Sequence, residues 1–205
     1  MPSRYTFTPY SPAWPREFAR EAERLRALLG PEIVTIHHIG STSVPGLDAK
    51  PIIDLLPLVH DITRIDGYTD AMTAAGYNAW GEHGLPGRRY FTKDAGEFRT
   101  HNIHIYAADN PEVVRHLAFC AYLRAHPDVC TEYVAIKRAA YAQHPADIHA
   151  YNDFKNDWIK RMEGVAIAWY RAKQTMDNGR WTTDDCKTLN SSQNESANAG
   201  LKGVK

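Results

Sequence analysis

The sequence predicts an α+β domain: a small mixed β-sheet flanked by helices, with a helical C-terminal half. Two patterns point there. Between residues 14 and 106, short apolar runs of strand length are interspersed with helical segments, while from Pro111 to Lys173 apolar residues recur at helical spacing. In addition, 43% of the 205 residues are hydrophobic, enough for a sizeable core in one domain.

Residues 1–15 are extended and turn-like, with Pro2, Pro9, Pro12 and Pro15 spacing out the aromatic residues. Ser11-Pro12-Ala13-Trp14 is expected to cap a helix over Trp14–Leu29. Trp14, Phe18, Ala22, Leu25 and Leu28/Leu29 form its apolar stripe, its charged residues read as a solvated face, and Gly30-Pro31 stops it. Ile33–Ile39 is the first expected strand and Pro51–Val59 the second, with Pro57 marking a strand end or an edge. Thr63–Ala75 has moderate helical spacing and is closed by Gly76. Tyr77–Trp80, Arg88–Lys93 and Phe98–Tyr106 supply three more strands, the last two joined as a hairpin through Asp94-Ala95-Gly96. Helices follow over Pro111–Ala125, Pro127–Gln143 and Ile148–Lys173. Residues 175–205 are polar and nearly free of apolar side chains, too few to offset the entropy of ordering. The expected organisation is a domain over 1–174 and a disordered tail over 175–205.

Lys+Arg and Asp+Glu both number 24, so no global basic field points to a nucleic-acid partner. The three cysteines, Cys120, Cys130 and Cys186, show no C-x-x-C spacing. That argues against a disulfide framework or structural zinc and fits a reducing compartment. The N-terminal residues carry no continuous apolar signal segment, and no run approaches the length of a membrane span. A cytoplasmic protein without a membrane partner is the expectation.

The informative stretch is Ile36–Val59, IHHIGSTSVPGLDAKPIIDLLPLV. An apolar run ends in Gly40-Ser41, a Ser/Pro/Gly loop follows, and a second apolar run carries one charge, Asp54. A Gly-Ser turn lets backbone amides and hydroxyls approach an anion closely. The hydroxyls of Ser41, Thr42 and Ser43 crowd this loop, and Lys50 stands at the entrance of the next strand. Asp54, between Ile52-Ile53 and Leu55-Leu56, is expected to be buried, which is costly for a carboxylate that is neither paired nor metal-bound. A core strand with one hydrogen-bonded aspartate remains the structural alternative.

Further along, Arg89, Phe91 and Lys93 share one face of an expected strand, and Arg88, Tyr90 and Thr92 share the other. Arg89 and Lys93 suit an anionic substrate, or equally an edge strand protected by charge. Asn102, His104 and Tyr106 alternate with His101, Ile103 and Ile105, which makes His104 the better candidate for metal or acid/base work. His37 and His38 face opposite sides, so one at most reaches the loop. A weaker reading joins one of them to His104 in a hydrolase metal site. Tyr133/Lys137 and Tyr151/Lys155 are i,i+4 pairs that suggest a polar stripe, although each residue taken singly reads as core or solvated face.

Together HIGSTSVPGLDAKPIIDLL, RRYFTK, HNIHIY, HLAFCAYLRAHPDV and the two Tyr/Lys pairs resemble the GrpB family over roughly residues 5–170. The resemblance implies a nucleotidyltransferase-like fold, and some relatives are fused to dephospho-coenzyme A kinase. In such folds a Gly-Ser turn contacts a triphosphate, and a carboxylate pair at i and i+2 of the next strand holds divalent metal. Gly40, Ser41, Thr42, Lys50, Arg89 and Lys93 are then the expected phosphate contacts, with Asp54 holding Mg²⁺ and Asp54 and His104 as catalytic groups. Two departures stand out. Leu56 occupies the place of the second carboxylate, and Cys120-Ala121 stands where relatives tend to carry Arg-Asp. The expected function is a nucleotidyltransferase-like enzyme using a nucleoside triphosphate and Mg²⁺. The alternative is a non-catalytic binder of a nucleotide, a coenzyme A-like molecule or another small phosphorylated ligand.

Overall fold

The computed structural model describes residues 5–176. In chain order the elements are α1 (Trp14–Leu29), β1 (Ile33–Ile39), a 3-10 turn (Ser41–Ser43), β2 (Ile53–Val59), a 3-10 segment (Ile62–Tyr68) and α2 (Thr69–Ala74). They continue with β3 (Asn78–Ala79), β4 (Arg88–Ala95), β5 (Phe98–Ala107), α3 (Glu112–Ala125), α4 (Pro127–Gln143) and α5 (Ile148–Met176). The chain divides after Trp169 into two units, and the described residues 170–176 of the second continue α5. The tail expected from residue 175 thus begins two residues inside that helix, and the rest of it lies outside the described residues. Among the described residues no helix is long and apolar enough to cross a membrane.

The five strands form one mixed sheet in the order β1-β2-β5-β4-β3. β2 pairs antiparallel with β1 and parallel with β5, while β4 lies antiparallel to both β5 and β3. The α+β class is therefore as expected. β2 is internal, not an edge, and Pro57 does not end it. Pro57 pairs with Ile36 of β1, while the ladder to β5 is interrupted between Leu55↔Ile103 and Leu58↔Tyr106. A proline has no N–H to donate, and here a gap in the ladder absorbs that loss. The helix expected over Thr63–Ala75 is instead a 3-10 segment followed by a six-residue α-helix. Asp61 starts the 3-10 segment, its side chain accepting from the Thr63 amide at 2.8 Å.

One sheet face is covered by α1, whose stripe of Trp14, Phe18, Ala22, Leu25 and Leu29 packs with Ile36, Ile53, Leu55, Phe91, Ile103 and Ile105. Burying each large apolar side chain stabilises the fold by about 1.5–3 kcal/mol before entropy is counted. The charged face of α1 is not wholly solvated, because Glu21 turns inward and is buried. The opposite face carries Ile39, Leu56, Leu58 and Tyr106, which pack with Val113 and Cys120 of α3. The loop between β1 and β2 is gripped by the helices, with Val44 and Leu47 clustering with Leu123, Tyr133 and Trp158. Its far end is tied to the N-terminal segment by paired backbone bonds between Thr8 and Ala49 of 2.9 and 3.0 Å. Both ends of the loop are thereby fixed over the open part of the second face.

Candidate functional site

Asp54 stands at that opening. It pairs in register with Ile39 on one side and Asn102 on the other, and its side chain is 24% exposed. It is therefore less buried than its apolar neighbours suggest, because the residues around it enclose a cavity in place of packed core. Asn102 Nδ2 donates to Asp54 Oδ1 at 2.7 Å, while Asn102 Oδ1 accepts from the Tyr90 hydroxyl at 2.9 Å. This chain of bonds fixes the carboxylate. Its other oxygen faces Gly40, where a Cβ would lie 2.3 Å from Asp54 Oδ2 and where φ is +70°. Glycine is thus required at position 40 on two counts, conformation and space.

The Gly40-Ser41 turn is braced from below. Ser43 Oγ donates to the Gly40 carbonyl at 2.8 Å, and Arg124 of α3 donates to the Ser43 carbonyl and hydroxyl, each at 3.0 Å. Thr42 is buried, and its hydroxyl donates to the Ile52 carbonyl at 3.2 Å and meets His38 Nε2 at 3.0 Å. Expected as a phosphate contact, the Thr42 hydroxyl is engaged within the protein. Both Thr42 and Ser41 line the cavity above the turn, and Ser41 Oγ accepts from Lys137 Nζ at 3.3 Å.

A cavity of about 290 Å³ opens above this turn, bounded by Gly40, Ser41, Lys50, Asp54, Asn102, Lys137 and Lys155, with Phe119, Tyr133 and Tyr151 as aromatic walls. Three lysines line it and Asp54 is the one acidic residue among its lining residues. Lys50 Nζ lies 4.7 Å from the Tyr151 ring centroid and donates to Asn152 Oδ1 at 3.4 Å. Lys137 Nζ lies 4.4 Å from the Tyr133 ring and donates to the Asp48 carbonyl. Burial, followed by repulsion from Lys155, brings Lys137 down to about 7 and Lys50 down to about 8. Burial also brings Lys155 down to about 8, against the attraction of Asp54. Ammonium groups crowded together in this way favour an anion among them.

The remaining candidates divide by sheet face. Tyr90 pairs with His104 and Arg88 with Tyr106, so this alternate set of β4 shares the face of Asp54. His104 Nε2 lies 3.8 Å from Asp54 Oδ1, and its Nδ1 is 3.4 Å from Arg88 Nη1. Arg89 and Lys93 are on the other face, contrary to the expectation that they meet the ligand. Arg89 Nη2 donates to Asp66 at 2.8 Å, and Lys93 Nζ reaches the buried Glu21 at 2.7 Å. Their positive charge is already matched there. His38 also sits on the α1 side, stacked on Phe18 with centroids 4.7 Å apart, away from His104. Its neutral form is favoured by burial, which takes it down to about 3. Among the described residues no group of three or more His, Cys, Asp or Glu side chains is placed to hold a metal. Leu56 is fully buried in the core beneath α3, so β2 offers no second carboxylate. Asp54 alone fits the role of a single protein ligand to Mg²⁺, which commonly takes one or two carboxylates and substrate phosphates.

Lys137 and Lys155, absent from the expected phosphate contacts, are in sequence visible only as i,i+4 partners of Tyr133 and Tyr151. Those pairings are the available signal: each tyrosine is buried and presents its ring to a lysine at the cavity.

Known proteins resemble the chain through this region. The UPF0157 protein YqkA of Bacillus subtilis is 46% identical over 164 residues, 80% of this chain and 48% of YqkA. The chain thus spans about half the length of that relative. The UPF0157 protein PA4798 of Pseudomonas aeruginosa is 39% identical over 171 residues, 80% of this chain and 69% of PA4798. The crystal structure of the conserved protein GrpB from Enterococcus faecalis superposes with a TM-score of 0.77 at 43% identity, over 80% of this chain and 99% of that one. The model of the family described as GrpB protein matches residues 4–164, and the chain belongs to the GrpB family.

Proposed function

We propose that the cavity over Gly40-Ser41 binds the polyphosphate of a nucleoside triphosphate, and that the protein is a nucleotidyltransferase-like enzyme. The observation that carries this reading is the gathering of Lys50, Lys137 and Lys155 against one carboxylate, Asp54. The lysines would neutralise phosphate oxygens, and Gly40 lets the chain pass close to them. Asp54 would hold Mg²⁺ shared with the phosphates, and the ion would supply charge neutralisation. Asn102, itself held by Tyr90, keeps Asp54 oriented. Catalysis would rest on positioning and electrostatics.

Calorimetry with ATP, GTP, CTP and UTP in the presence of Mg²⁺ tests the reading, alongside Asp54→Asn. Wild type is expected to bind at least one nucleotide, and Asp54→Asn to lose the Mg²⁺ dependence and to form product at least about 100-fold more slowly. Failure of every nucleotide to bind wild type would sink it.

A second reading is favoured by Leu56, whose burial leaves β2 without a carboxylate partner for Asp54. On that reading the cavity binds a nucleotide or other phosphorylated metabolite without turnover. It predicts equal affinity with and without Mg²⁺ and no pyrophosphate release on prolonged incubation.

A further inference from the structure

A second cavity, of about 190 Å³, adjoins the lysine-lined one, and the two share Gly40, Asp54 and Phe119. Across that shared wall the character of the lining reverses. No lysine lines the second cavity; its polar residues are His104, His116, Arg115, Glu163 and Asp54 itself. Arg115 is already paired twice, donating through Nη1 to Glu163 Oε1 at 2.8 Å and through Nε to Glu112 Oε2 at 3.1 Å. Its Nη2 reaches His116 Nε2 at 3.3 Å. His116 is held neutral, first by burial and then by repulsion from Arg115. Arg88 approaches His104 at Nδ1, which leaves Nε2 turned toward Asp54. Among the lining residues the carboxylates of Asp54 and Glu163 face one guanidinium, Arg115, which is already matched, while Arg88 beside His104 is bonded to the carbonyls of Glu82 and His83. One side of Asp54 is therefore built for an anion, and the other disfavours one.

We infer that the second cavity holds the acceptor, and that the acceptor is a small hydroxyl compound bearing an amine, not a phosphate or carboxylate. This inference rests on the polyphosphate reading of the first cavity. The volume suits a molecule about the size of one sugar ring. An ammonium would sit against Glu163, sharing that carboxylate with Arg115, and a hydroxyl would lie toward Asp54 and His104. In the transfer, the hydroxyl oxygen bonds to the α-phosphorus as the bond from that phosphorus to the oxygen bridging to the β-phosphate breaks. Pyrophosphate leaves with the electron pair, and the hydroxyl proton passes to water.

Glucosamine, glucose and glucose 6-phosphate serve as probes, with and without Mg²⁺ and an ATP analogue non-hydrolysable between the α- and β-phosphates. Binding is followed by calorimetry and by the imidazole NMR signals of His104 and His116. Glucosamine is expected to shift both signals and to bind at least about tenfold more tightly than glucose 6-phosphate. Glu163→Gln should weaken glucosamine about tenfold and leave the nucleotide analogue unaffected, with Lys155→Ala doing the reverse. Glucose 6-phosphate binding as tightly at the histidines, glucosamine leaving them unshifted, or Glu163→Gln without effect would each overturn the inference. The wild-type preference decides even if Glu163→Gln does not fold. If the analogue fails to bind wild type, the polyphosphate reading fails, and the amine site is judged separately by its dependence on Glu163.

Discussion

The two faces of the sheet handle charge in opposite ways. Beneath α1, Lys93 meets the buried Glu21, which also accepts from the Tyr77 hydroxyl at 2.6 Å, and Arg89 meets Asp66 and Glu82. Each cation there has its carboxylate. Beneath α3–α5, Lys50, Lys137 and Lys155 line a cavity that offers them Asp54 alone. Matched cations hold a fold together, while cations assembled against too few carboxylates mark a candidate binding site. On the proposed function the same sheet separates structural charge from binding charge, and four experiments probe that separation.

The largest effect is expected at the turn that joins the lysines to Asp54. Gly40→Ala puts a methyl group onto Asp54 Oδ2 and forces a side chain into φ +70°. It should lower stability by about 1–3 kcal/mol and abolish nucleotide binding, as read by thermal melting and calorimetry. Retained binding at wild-type affinity would mean that Asp54 and the turn do not act as one unit.

Next, one lysine from each face can be exchanged. Lys155→Ala should lower nucleotide affinity about tenfold with little effect on the melting temperature. Lys93→Met should do the opposite, leaving affinity unchanged while the stranded Glu21 destabilises the fold by about 1–3 kcal/mol. If Lys93→Met weakened the nucleotide as much as Lys155→Ala, the division between faces would be wrong.

Smaller, but specific in sign, is the dependence on pH. Lys137 is brought down to about 7 in the folded protein, against about 10.4 when unfolded. Between those values the unfolded chain binds more protons, so the ligand-free protein should gain stability as pH rises from about 7 to about 10. A bound polyphosphate favours the charged lysines and reverses the slope, so affinity should fall as pH rises over that range. Calorimetry at pH 8 in buffers of different ionisation enthalpy should register proton uptake on binding. Proton release, or none, would contradict the lysine site.

The smallest effect belongs to Arg89→Ala. Its partner Asp66 is 59% exposed, so the loss should be at most about 1 kcal/mol, with nucleotide affinity unchanged. A drop in affinity would place Arg89 in the site after all.

Much of this was legible beforehand. The stripe of α1, the apolar runs of β1 and β2 and the hairpin of β4 and β5 follow from periodicity and turn residues, because those patterns record what each segment must bury. Gly40, Ser41, Lys50 and Asp54 could be named from one continuous stretch. Sequence cannot separate Arg89 and Lys93 from the site, because alternation along β4 distinguishes two faces but does not say which one Asp54 shares. That needed the pairing of Asp54 with Asn102 and of Tyr90 with His104. Glu21, apparently one more solvated charge on α1, was likewise identifiable only once Tyr77 and Lys93 stood opposite it.

By itself the sequence determined the α+β class, the tight glycine turn and the absence of a second carboxylate at Leu56, since each depends on residues close along the chain. Tertiary structure alone decided which distant lysines complete the site. Lys137 and Lys155 lie 83 and 101 residues beyond Asp54 and meet it only because α4 and α5 close over the loop that β1 and β2 hold in place. Charge acts through space, so its function is settled by which distant segments are brought within a few ångströms of one another, and that is a property of packing.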